Sequence, residues 1–370
     1  MNIIFYSPLS LRNGGGAEQW QLAVAPALRD CGHTVTIITA QGGDRNLPQK
    51  TVTERLHGVT YHELPTRMLP GGIVWLDRAA RRELAGYIAQ ADVVHYVFGF
   101  IGHDWWISRM VRKGQKLYTG FHAPIFTHSR LHNWYVATVS RWFTIGRSTA
   151  FFVFNKAQES LLRTWFPHIQ SVSIAGGVDT ARFAPSTTVK KSSSFHAVYV
   201  GRFAYEKGVD LLVEAIRQFL RDDPEANARF TFVGAGTYEP QVRALTKEFP
   251  KNVQSHPFTP DVRPFVAAAH IAMLPSRQET FGLAMVEALA MGVPVLASGA
   301  DGPKRVIQPG KTGWIVDPIT ATSYAKNLRR VYDAWCKDPA WKSWQTATRA
   351  SAEAYSPTTI AARINTVINV

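Results

Sequence analysis

The segment Ser276–Gly292, SRQETFGLAMVEALAMG, carries two glutamates whose spacing suits ligand binding. Apolar residues recur at helical spacing from Leu283 onward, and Gly292, with valine and proline after it, predicts the end of that helix. We therefore expect Glu279 in the loop before the helix and Glu287 about two turns inside it, at ~3.6 residues per turn. The pattern thus places one carboxylate on a loop and a second on the helix that follows.

Between the two glutamates, the backbone amides of Phe281, Gly282 and Leu283 are expected to point out of the helix N-terminus. That end of a helix attracts anions, because its unpaired amides and the helix dipole both favour negative charge. Two carboxylates beside such an amide cluster suit a ligand that carries both phosphates and hydroxyl groups. The plain alternative is chance, since glutamates at this spacing and helix N-termini are both common.

Two basic residues follow another predicted strand, Ala197–Gly201. Arg202 comes directly after that strand, and Lys207 lies just before the next helix. Both therefore belong at the carboxyl end of a parallel strand, where α/β proteins bind ligands. Two cations at that edge would neutralise a diphosphate leaving group, although an ordinary solvated loop is the alternative.

A histidine and a run of glycines follow two further predicted strands. His122 comes after the strand Leu117–Phe121, which suggests a hydrogen bond to a sugar, although a lone histidine is often structural. Gly14, Gly15 and Gly16 follow the first strand, where the absence of side chains lets the backbone approach a phosphate or a sugar. This run is not GxGxxG, and no acidic residue ends the second strand, so a nicotinamide dinucleotide site is not predicted.

Several motifs of metal and cofactor chemistry are absent from the sequence. It contains no DxD, HExxH, CxxC, GxSxG or GxxxxGK[ST] segment. We therefore expect no metal site, no bound cofactor and no phosphate transfer from ATP.

Strand and helix patterns alternate along the whole chain, which predicts βαβ succession and parallel sheets with helices on both faces. A Ser/Thr/Lys-rich stretch, residues 183–195, is typical of a linker, and the alternation restarts after it. We therefore expect an α/β fold with two Rossmann-like, doubly wound domains and a ligand cleft between them. The predicted strands are Ile3–Ser7, Val35–Thr39, Val93–Phe98, Leu117–Phe121, Ala150–Phe154, Val172–Ile174, Ala197–Gly201, Phe230–Val233, His270–Leu274, Val295–Ala297 and Trp314–Val316.

Length and composition agree with a globular protein of two domains. The chain has 370 residues, 46% of them hydrophobic and 18% charged, and it contains no apolar run long enough for a transmembrane helix. It starts directly with a strand pattern rather than with a signal peptide. Its two cysteines, Cys31 and Cys336, are far apart and predict unpaired, buried thiols in separate domains, as expected in the cytoplasm.

The net charge of +14 is unevenly distributed. No acidic residue occurs from Trp105 to Gln158, while eight Lys or Arg residues alternate there with tryptophan, tyrosine and phenylalanine. Such a surface suits anionic lipid headgroups, nucleic acid or an acidic substrate. The alternative is a solvated basic face that covers a core.

With these residues in view, the chain resembles the family-4 retaining nucleotide-sugar glycosyltransferases, which have the GT-B fold of two Rossmann-like domains. The resemblance covers nearly the whole chain, and the segment FHAPIFTHSR is also similar to that of the family's lipid mannosyltransferases. The segments that carry it are GGGAE, FHA, AGGVDTARF, VGRFAYEKGVDLLVEA, FVGAGTY, PSRQETFGLAMVEALAMGVPVLAS and GKTGWIVDP.

The resemblance implies a role for each candidate residue. Arg202 and Lys207 would bind the donor diphosphate, and Glu287 would bind the ribose hydroxyls. The glycines of the first loop, Gly15 and Gly16, and the amides at the start of the later helix would assist with the diphosphate. Separately from the resemblance, we expect backbone contacts around Gly234–Gly236 and Pro257–Phe258 to choose the base.

The resemblance also implies the chemistry at the sugar. Glu279 would contact the sugar hydroxyls and His122 the sugar near its C6 position. Transfer would retain the anomeric configuration, with the leaving phosphate itself helping to deprotonate the acceptor, so that His122, Glu279, Arg202 and Lys207 form the catalytic set. Thr280 stands where the family usually has glycine, which adds bulk beside the donor sugar.

We therefore predict a metal-independent, retaining glycosyltransferase that uses a UDP- or GDP-linked sugar and a lipid-linked or glycan acceptor. Residues 1–183, joined by a C-terminal helix at about 350–370, would form the acceptor domain, and residues 184–349 the donor domain. We expect a cytoplasmic protein that associates with the inner face of an anionic membrane through its basic N-terminal domain, and no nucleic-acid partner.

Two alternatives stay open at this point. The first is a nucleotide-sugar enzyme of the same fold, such as an epimerase or a sugar-phosphate transferase, which would act on soluble molecules. The second is a non-catalytic, basic nucleic-acid-binding protein, which would show a steep salt dependence of binding.

Overall fold

The structure is a computed structural model, and it describes residues 1–11, 15–40, 50–69, 73–122, 125, 130–174, 176–338 and 341–369. The chain folds into two compact units, Met1–Gly177 with Pro357–Val370, and Val178–Ser356. The predicted domain boundary at residue 183 therefore lies six residues too late, and the return to the first unit begins at Pro357 rather than at about residue 350.

The first unit alternates strands with helices, as the sequence predicts, and the last helix of the chain belongs to it. A π-helical turn, Val136–Ser140, joins two of its helices. Its elements are β1 Asn2–Ser7, α1 Gly16–Asp30, β2 Thr34–Ala40, β3 Val52–Leu56, β4 Val59–Leu64, β5 Arg67–Leu69, β6 Ile73–Trp75, α2 Arg78–Ala89, β7 Val93–Val97, α3 His103–Met110, β8 Lys116–Gly120, α4 Arg130–Tyr135, α5 Arg141–Phe143, β9 Ala150–Val153, α6 Lys156–Trp165, β10 Gln170–Ser173 and α14 Pro357–Ile368.

Eight of these strands form one sheet in the order β10-β9-β8-β7-β1-β2-β4-β3, and β5 pairs with β6 separately. The central strand β1 pairs in parallel with β2 on one side and with β7 on the other. The direction of winding therefore reverses at β1, which makes the sheet doubly wound. This arrangement confirms the predicted Rossmann-like architecture for the first unit.

The edge of this sheet departs from the prediction of parallel strands alone. β3 runs antiparallel to β4, and the turn between them uses positive φ angles of 48° at His57 and 79° at Gly58. Two successive positive φ angles are typical of a type I′ turn, which matches the twist of a tight hairpin. β3 is mostly exposed, since its sequence VTERL carries polar side chains suited to a sheet edge.

The second unit repeats the strand and helix alternation after a stretch without either, residues 183–194, and this predicted linker lies inside the second unit rather than between the two units. Its elements are β11 Phe195–Val200, α7 Val209–Asp222, β12 Ala228–Val233, α8 Glu239–Glu248, β13 Val253–His256, α9 Arg263–Ala268, β14 Ile271–Leu274, α10 Leu283–Ala290, β15 Val295–Ser298, α11 Asp301–Val306, β16 Gly313–Val316, α12 Ala321–Lys337 and α13 Lys342–Ala352.

The sheet of the second unit contains six strands in the order β13-β12-β11-β14-β15-β16, all of them parallel. Numbered within the unit, this order is 3-2-1-4-5-6, the order of dinucleotide-binding sheets. The strands are short buried apolar runs such as FHAVYV in β11, because helices cover both faces. The order reverses between β11 and β14, and a crevice at the carboxyl ends of those two strands is where such sheets bind ligands.

Both cysteines are free, as predicted, and they lie in different units. Cys31 and Cys336 are exposed, however, so the prediction of buried thiols is wrong. Each ends up outside the core because it lies at or near the end of a helix, where side chains face solvent. No helix within the described ranges combines the length and the apolar character that a membrane span requires.

A buried carboxylate connects three elements of the first unit. Asp104, in α3, accepts a hydrogen bond from Tyr96 in β7 at 2.5 Å and another from the Ser140 hydroxyl in the π-helical turn. Thr144 donates to the Asp104 backbone carbonyl at 2.5 Å. Burial raises the pKa of Asp104 to about 6, although the hydrogen bonds that it accepts favour the charged form.

The raised pKa of Asp104 predicts a pH-dependent stability. The protonated Asp104 side chain stabilises the folded state fully below the unfolded pKa near 3.8. This stabilisation is lost as the pH rises through about 6. We expect the stability of the wild type relative to Asp104→Asn to fall by roughly 3 kcal/mol between pH 4 and pH 7. Urea unfolding at several pH values measures it, and Asp30→Asn, at an exposed position, provides a control that changes by less than about 0.5 kcal/mol. A difference that grows with pH would contradict the assignment.

Candidate functional site

In the second unit, the loops after β11 and β14 lie against each other at the point where the strand order reverses. The backbone N–H groups of Arg277 and Gln278 both donate to the carbonyl of Glu206, at 2.9 and 3.3 Å. The first loop carries Arg202 and Lys207, and the second carries Glu279. The structure therefore brings these three predicted site residues onto neighbouring loops.

Lys207 and Glu279 form a direct ion pair. The ammonium nitrogen of Lys207 lies 2.8 Å from Oε2 of Glu279, and both side chains are half-buried. The Ser276 hydroxyl donates to the same carboxylate oxygen at 3.3 Å. The sequence assigned this cation to a phosphate and this carboxylate to a sugar, and in the structure each one neutralises the other.

Arg202 lies at the exposed side of the same loop. Its guanidinium lies 2.6 Å from the carboxylate of Glu206, and the Tyr199 hydroxyl donates to its backbone carbonyl at 2.7 Å. An exposed pair of this kind contributes only ~0–1 kcal/mol, because solvent screens it. The side chain of Arg202 can therefore exchange Glu206 for a stronger anion without a large penalty, while its backbone stays fixed.

Glu287 lies closer to the start of its helix than the sequence predicts. α10 begins at Leu283 because Gly282, with a φ of 93°, has a left-handed backbone that cannot continue a helix. Glu287 is thus little more than one turn inside α10, and not two. The Phe281 side chain is buried against Tyr355, with ring centroids 5.5 Å apart, and anion binding by the amides at the start of α10 stays a prediction.

The carboxylate of Glu287 faces an apolar pocket. The walls beside it include Val262, Leu274, Ala284 and Ala288. This burial raises the pKa of Glu287 to about 7, although the charge of Arg182 acts in the opposite direction. A carboxylate in such a pocket is well placed to accept hydrogen bonds from the hydroxyls of a bound ligand.

Gly234 follows β12 and keeps the loops of β11 and β12 close together. Its φ is 151°, and a side chain there would collide with the carbonyl of Gly201. The Phe203 N–H donates to the carbonyl of Ala235 at 2.8 Å, so the two loops share a backbone hydrogen bond. Gly234 therefore lets the backbone of one loop pass directly against the other.

Sequence reasoning missed Arg277, which holds the two loops together. Its guanidinium donates twice to the carboxylate of Asp210, both at 2.6 Å, and once to the carbonyl of Tyr205 at 2.8 Å. It also stacks on the Tyr205 ring, 3.9 Å from the centroid. Burial opposes ionisation of Asp210, but the hydrogen bonds from Arg277 outweigh it and lower the pKa of that carboxyl.

His122 belongs to the first unit and contacts a second histidine that sequence reasoning also missed. Its Nε2 lies 3.5 Å from Nε2 of His95, in the middle of β7. The Trp20 ring packs 4.9 Å and the Phe154 ring 4.5 Å from that of His122. Gly120 leaves the space for this pair, because a side chain there would meet both imidazoles.

Burial keeps both histidines of this pair neutral. It lowers the pKa of His95 to about 3, and burial together with His95 lowers the pKa of His122 well below its usual value. His122 can therefore exchange hydrogen bonds with a ligand but cannot carry a positive charge at neutral pH.

The remaining predicted site residues are at the start of α1. Gly15 is the N-cap of this helix and Gly16 is its first residue, and the carboxylate of Glu18 occupies the space beside Gly15. Gly14, the first glycine of the run, lies outside the described residues. The ligand roles of all these residues stay predictions.

Two family models match the chain and together cover most of it. The model for glycosyltransferase family 4 matches residues 14–182, and the model for glycosyl transferases group 1 matches residues 194–334. The chain belongs to the family-4 glycosyltransferases. The resemblance drawn from the sequence motifs is confirmed at this level.

Individual relatives agree with this family. A D-inositol 3-phosphate glycosyltransferase of Pseudarthrobacter chlorophenolicus is 33% identical over 177 residues, which cover 44% of this chain and 41% of the relative. The putative colanic acid biosynthesis glycosyltransferase WcaL of Escherichia coli is 28% identical over 162 residues, 41% of this chain and 39% of WcaL. The chain thus aligns over about two fifths of the length of these curated relatives.

Solved structures show the same fold over the whole chain. Sucrose-phosphate synthase from Thermosynechococcus elongatus matches with a TM-score of 0.78 at 20% identity, and the alignment covers 100% of this chain and 98% of that protein. HepE of Anabaena, solved with UDP and glucose, matches with a TM-score of 0.76 at 17% identity. The alignment covers 100% of this chain and 99% of that protein. This family-4 glycosyltransferase therefore has the GT-B fold, as the sequence predicts.

The Arg277–Asp210 pair yields a prediction about the second unit. We expect Arg277→Ala to lower the free energy of unfolding by roughly 2 kcal/mol, since it leaves a half-buried carboxylate without its bidentate partner. Arg243→Ala is the matched control, because it removes an exposed pair with Glu239 and costs less than about 0.5 kcal/mol. Chemical denaturation measures both, and equal effects would show that the loop contact is not held by Arg277.

Proposed function

We propose that this chain transfers a hexosyl group from a UDP- or GDP-linked sugar to an acceptor hydroxyl, with retention of configuration and without a metal ion. One observation carries the proposal. The second unit places a Lys207–Glu279 ion pair at the switch point of a sheet with dinucleotide-binding strand order, and a carboxylate faces a pocket on the next helix. Membership of the family supports the reaction class.

The donor diphosphate is proposed to bind Lys207 and Arg202. Both cations form ion pairs with glutamates, so a bound diphosphate would replace those partners. A phosphate offers more charge than one carboxylate and accepts several hydrogen bonds from one guanidinium, which favours the exchange. The amides at the start of α10, and Gly15 and Gly16 at the start of α1, would supply further donors.

The nucleoside is proposed to bind at the Glu287 pocket. Its ribose carries two adjacent hydroxyls, and one carboxylate can accept a hydrogen bond from each of them. The apolar walls of the pocket strengthen these hydrogen bonds, because water competes less for them. The solved HepE structures contain UDP or UDP-glucose, which makes UDP the first donor nucleotide to test.

In the proposed reaction, the bond between the anomeric carbon and the diphosphate oxygen breaks as the acceptor oxygen bonds to the same face of that carbon. The acceptor proton passes to the leaving diphosphate, so no separate protein base is required. Lys207 and Arg202 would stabilise the negative charge that develops on the diphosphate, which is the main catalytic contribution. Glu279, once released from Lys207, would accept hydrogen bonds from the sugar hydroxyls, and neutral His122 would bind near C6.

The acceptor is proposed to be a lipid-linked molecule or a glycan, bound by the first unit. Relatives in the family include enzymes named for inositol phosphate and for colanic acid biosynthesis, so acceptors differ widely among them. The basic surface of the first unit favours an acceptor with negative charge.

Nucleotide binding is the most direct test of the proposed donor site. We expect UDP or GDP, at about 100 times its dissociation constant and with a chelator present, to raise the unfolding midpoint by roughly 5–10 °C. Glu287→Ala and Arg202→Ala should abolish most of this rise, because each removes a direct ligand contact. Differential scanning fluorimetry against UDP, GDP and ADP, and then against their sugars, measures it.

Arg243→Ala provides the control for that experiment, since it removes an exposed arginine of the same unit away from these loops. The control should retain the full shift. If no nucleotide shifts the midpoint of the wild type, or if the two site variants respond as the wild type does, the donor site is wrongly assigned.

The pKa of Glu287 predicts a pH dependence of binding. The ionised carboxylate accepts the ribose hydrogen bonds, so affinity should be full above pH 8 and fall as the pH drops through about 7. We expect a decrease of about tenfold between pH 8 and pH 6 that Glu287→Gln lacks. Because the nucleotide phosphates also titrate, the informative quantity is the difference between the two proteins, measured by calorimetry. Parallel pH profiles would show that Glu287 does not contact the nucleotide.

A further inference from the structure

One face of the first unit exposes four large apolar side chains close together in sequence. α4, the π-helical turn and α5 form one continuous helical segment, residues 130–143. Leu131, Trp134, Trp142 and Phe143, which we call the tryptophan face, are 66%, 61%, 67% and 46% exposed. Residues on the opposite side, such as Tyr135 and Val136, lie in the core. Exposed apolar groups in such number mark an interaction surface.

The charged residues in the stretch of sequence that contains the tryptophan face are all positive. Arg130 and Arg147 are exposed at its two ends, and no acidic residue occurs in the 54 residues from Trp105 to Gln158. Arg141 lies between the rings of Trp142 and Trp165, 5.4 and 5.1 Å from their centroids.

The neighbouring helix α3 continues this pattern. It contacts α5 and the π-helical turn, and its exposed Trp105 carries the guanidinium of Arg109 at 4.7 Å from the ring centroid. Its carboxylate, Asp104, is buried and bonded to Ser140, so it does not offset the charge of the surface. The same hydrogen bond fixes the helical segment to the core, which holds the tryptophan face outward.

We propose that the tryptophan face docks on an anionic lipid bilayer. Tryptophan and phenylalanine partition to the level of the lipid headgroups, and arginine beside them binds lipid phosphates. A uniformly negative bilayer surface suits a face without carboxylates, whereas a protein partner usually presents both signs of charge. The inference concerns a different surface from the donor site, and it extends the proposed function by indicating where a lipid-linked acceptor is met.

Flotation of the full chain with vesicles tests the proposal. We expect binding to vesicles of phosphatidylcholine mixed with phosphatidylglycerol and much weaker binding to phosphatidylcholine alone. Replacing both arginines in Arg130→Gln/Arg147→Gln should reduce partitioning about fivefold per charge. Replacing both tryptophans in Trp134→Ser/Trp142→Ser should reduce it by roughly tenfold or more, since less apolar area enters the interface.

Matched controls come from the second unit. Phe258→Ser removes a side chain that is 74% exposed, and Arg243→Gln removes an exposed arginine, so both should bind vesicles as the wild type does. The four altered positions, Arg130, Arg147, Trp134 and Trp142, are all exposed, so we expect both double variants to fold. Thermal midpoints equal to that of the wild type will show it.

Three outcomes would overturn the proposal: no flotation of the wild type, equal flotation on both vesicle types, or tryptophan variants that bind like the controls. If the tryptophan face binds a second copy of the chain instead, light scattering will show a dimer of the wild type that the tryptophan variants lose, while their vesicle binding is unaffected. Nucleotide binding is measured in a separate experiment. A failure of vesicle binding therefore leaves the donor-site proposal standing, and a failure of nucleotide binding leaves the membrane-docking proposal standing.

Discussion

The candidate site depends on the contact between the loops that follow β11 and β14. Parallel strand order alone places these loops side by side, but the hydrogen bonds to Glu206 and the bidentate pair of Arg277 with Asp210 fix their spacing. That spacing brings Lys207 within 2.8 Å of Glu279. A looser contact would leave both charges solvated, where neither has a defined direction toward a ligand.

The sequence was sufficient to predict the architecture of both units and to place Lys207 and Glu279 on neighbouring loops. The central strands of both sheets are buried apolar runs, and the segments between them have helical spacing. This pattern predicts parallel sheets. Lys207 and Glu279 were predictable as neighbours for the same reason, since each follows a strand whose carboxyl end reaches the same edge of one sheet.

Other features could not be predicted because they depend on contacts between residues distant in sequence. Arg277 bonds to Asp210, 67 residues away, and His95 meets His122 from within a strand that resembles ordinary core. Glu287 was placed about two turns inside α10, whereas the left-handed backbone of Gly282 makes the helix begin at Leu283, little more than one turn before Glu287. β3 was missed because it is a short, polar strand at the edge of the sheet.

Electrostatics explains how the candidate site is suited to an anion. Lys207 and Arg202 are each neutralised by a glutamate on the same loops. A ligand must then displace carboxylates rather than simply meet free positive charge, which favours a diphosphate over weaker anions. Displacement also releases Glu279 beside the bound phosphate. Under the proposed function, the carboxylate of Glu279 becomes available to hold the sugar only once the donor diphosphate has bound Lys207.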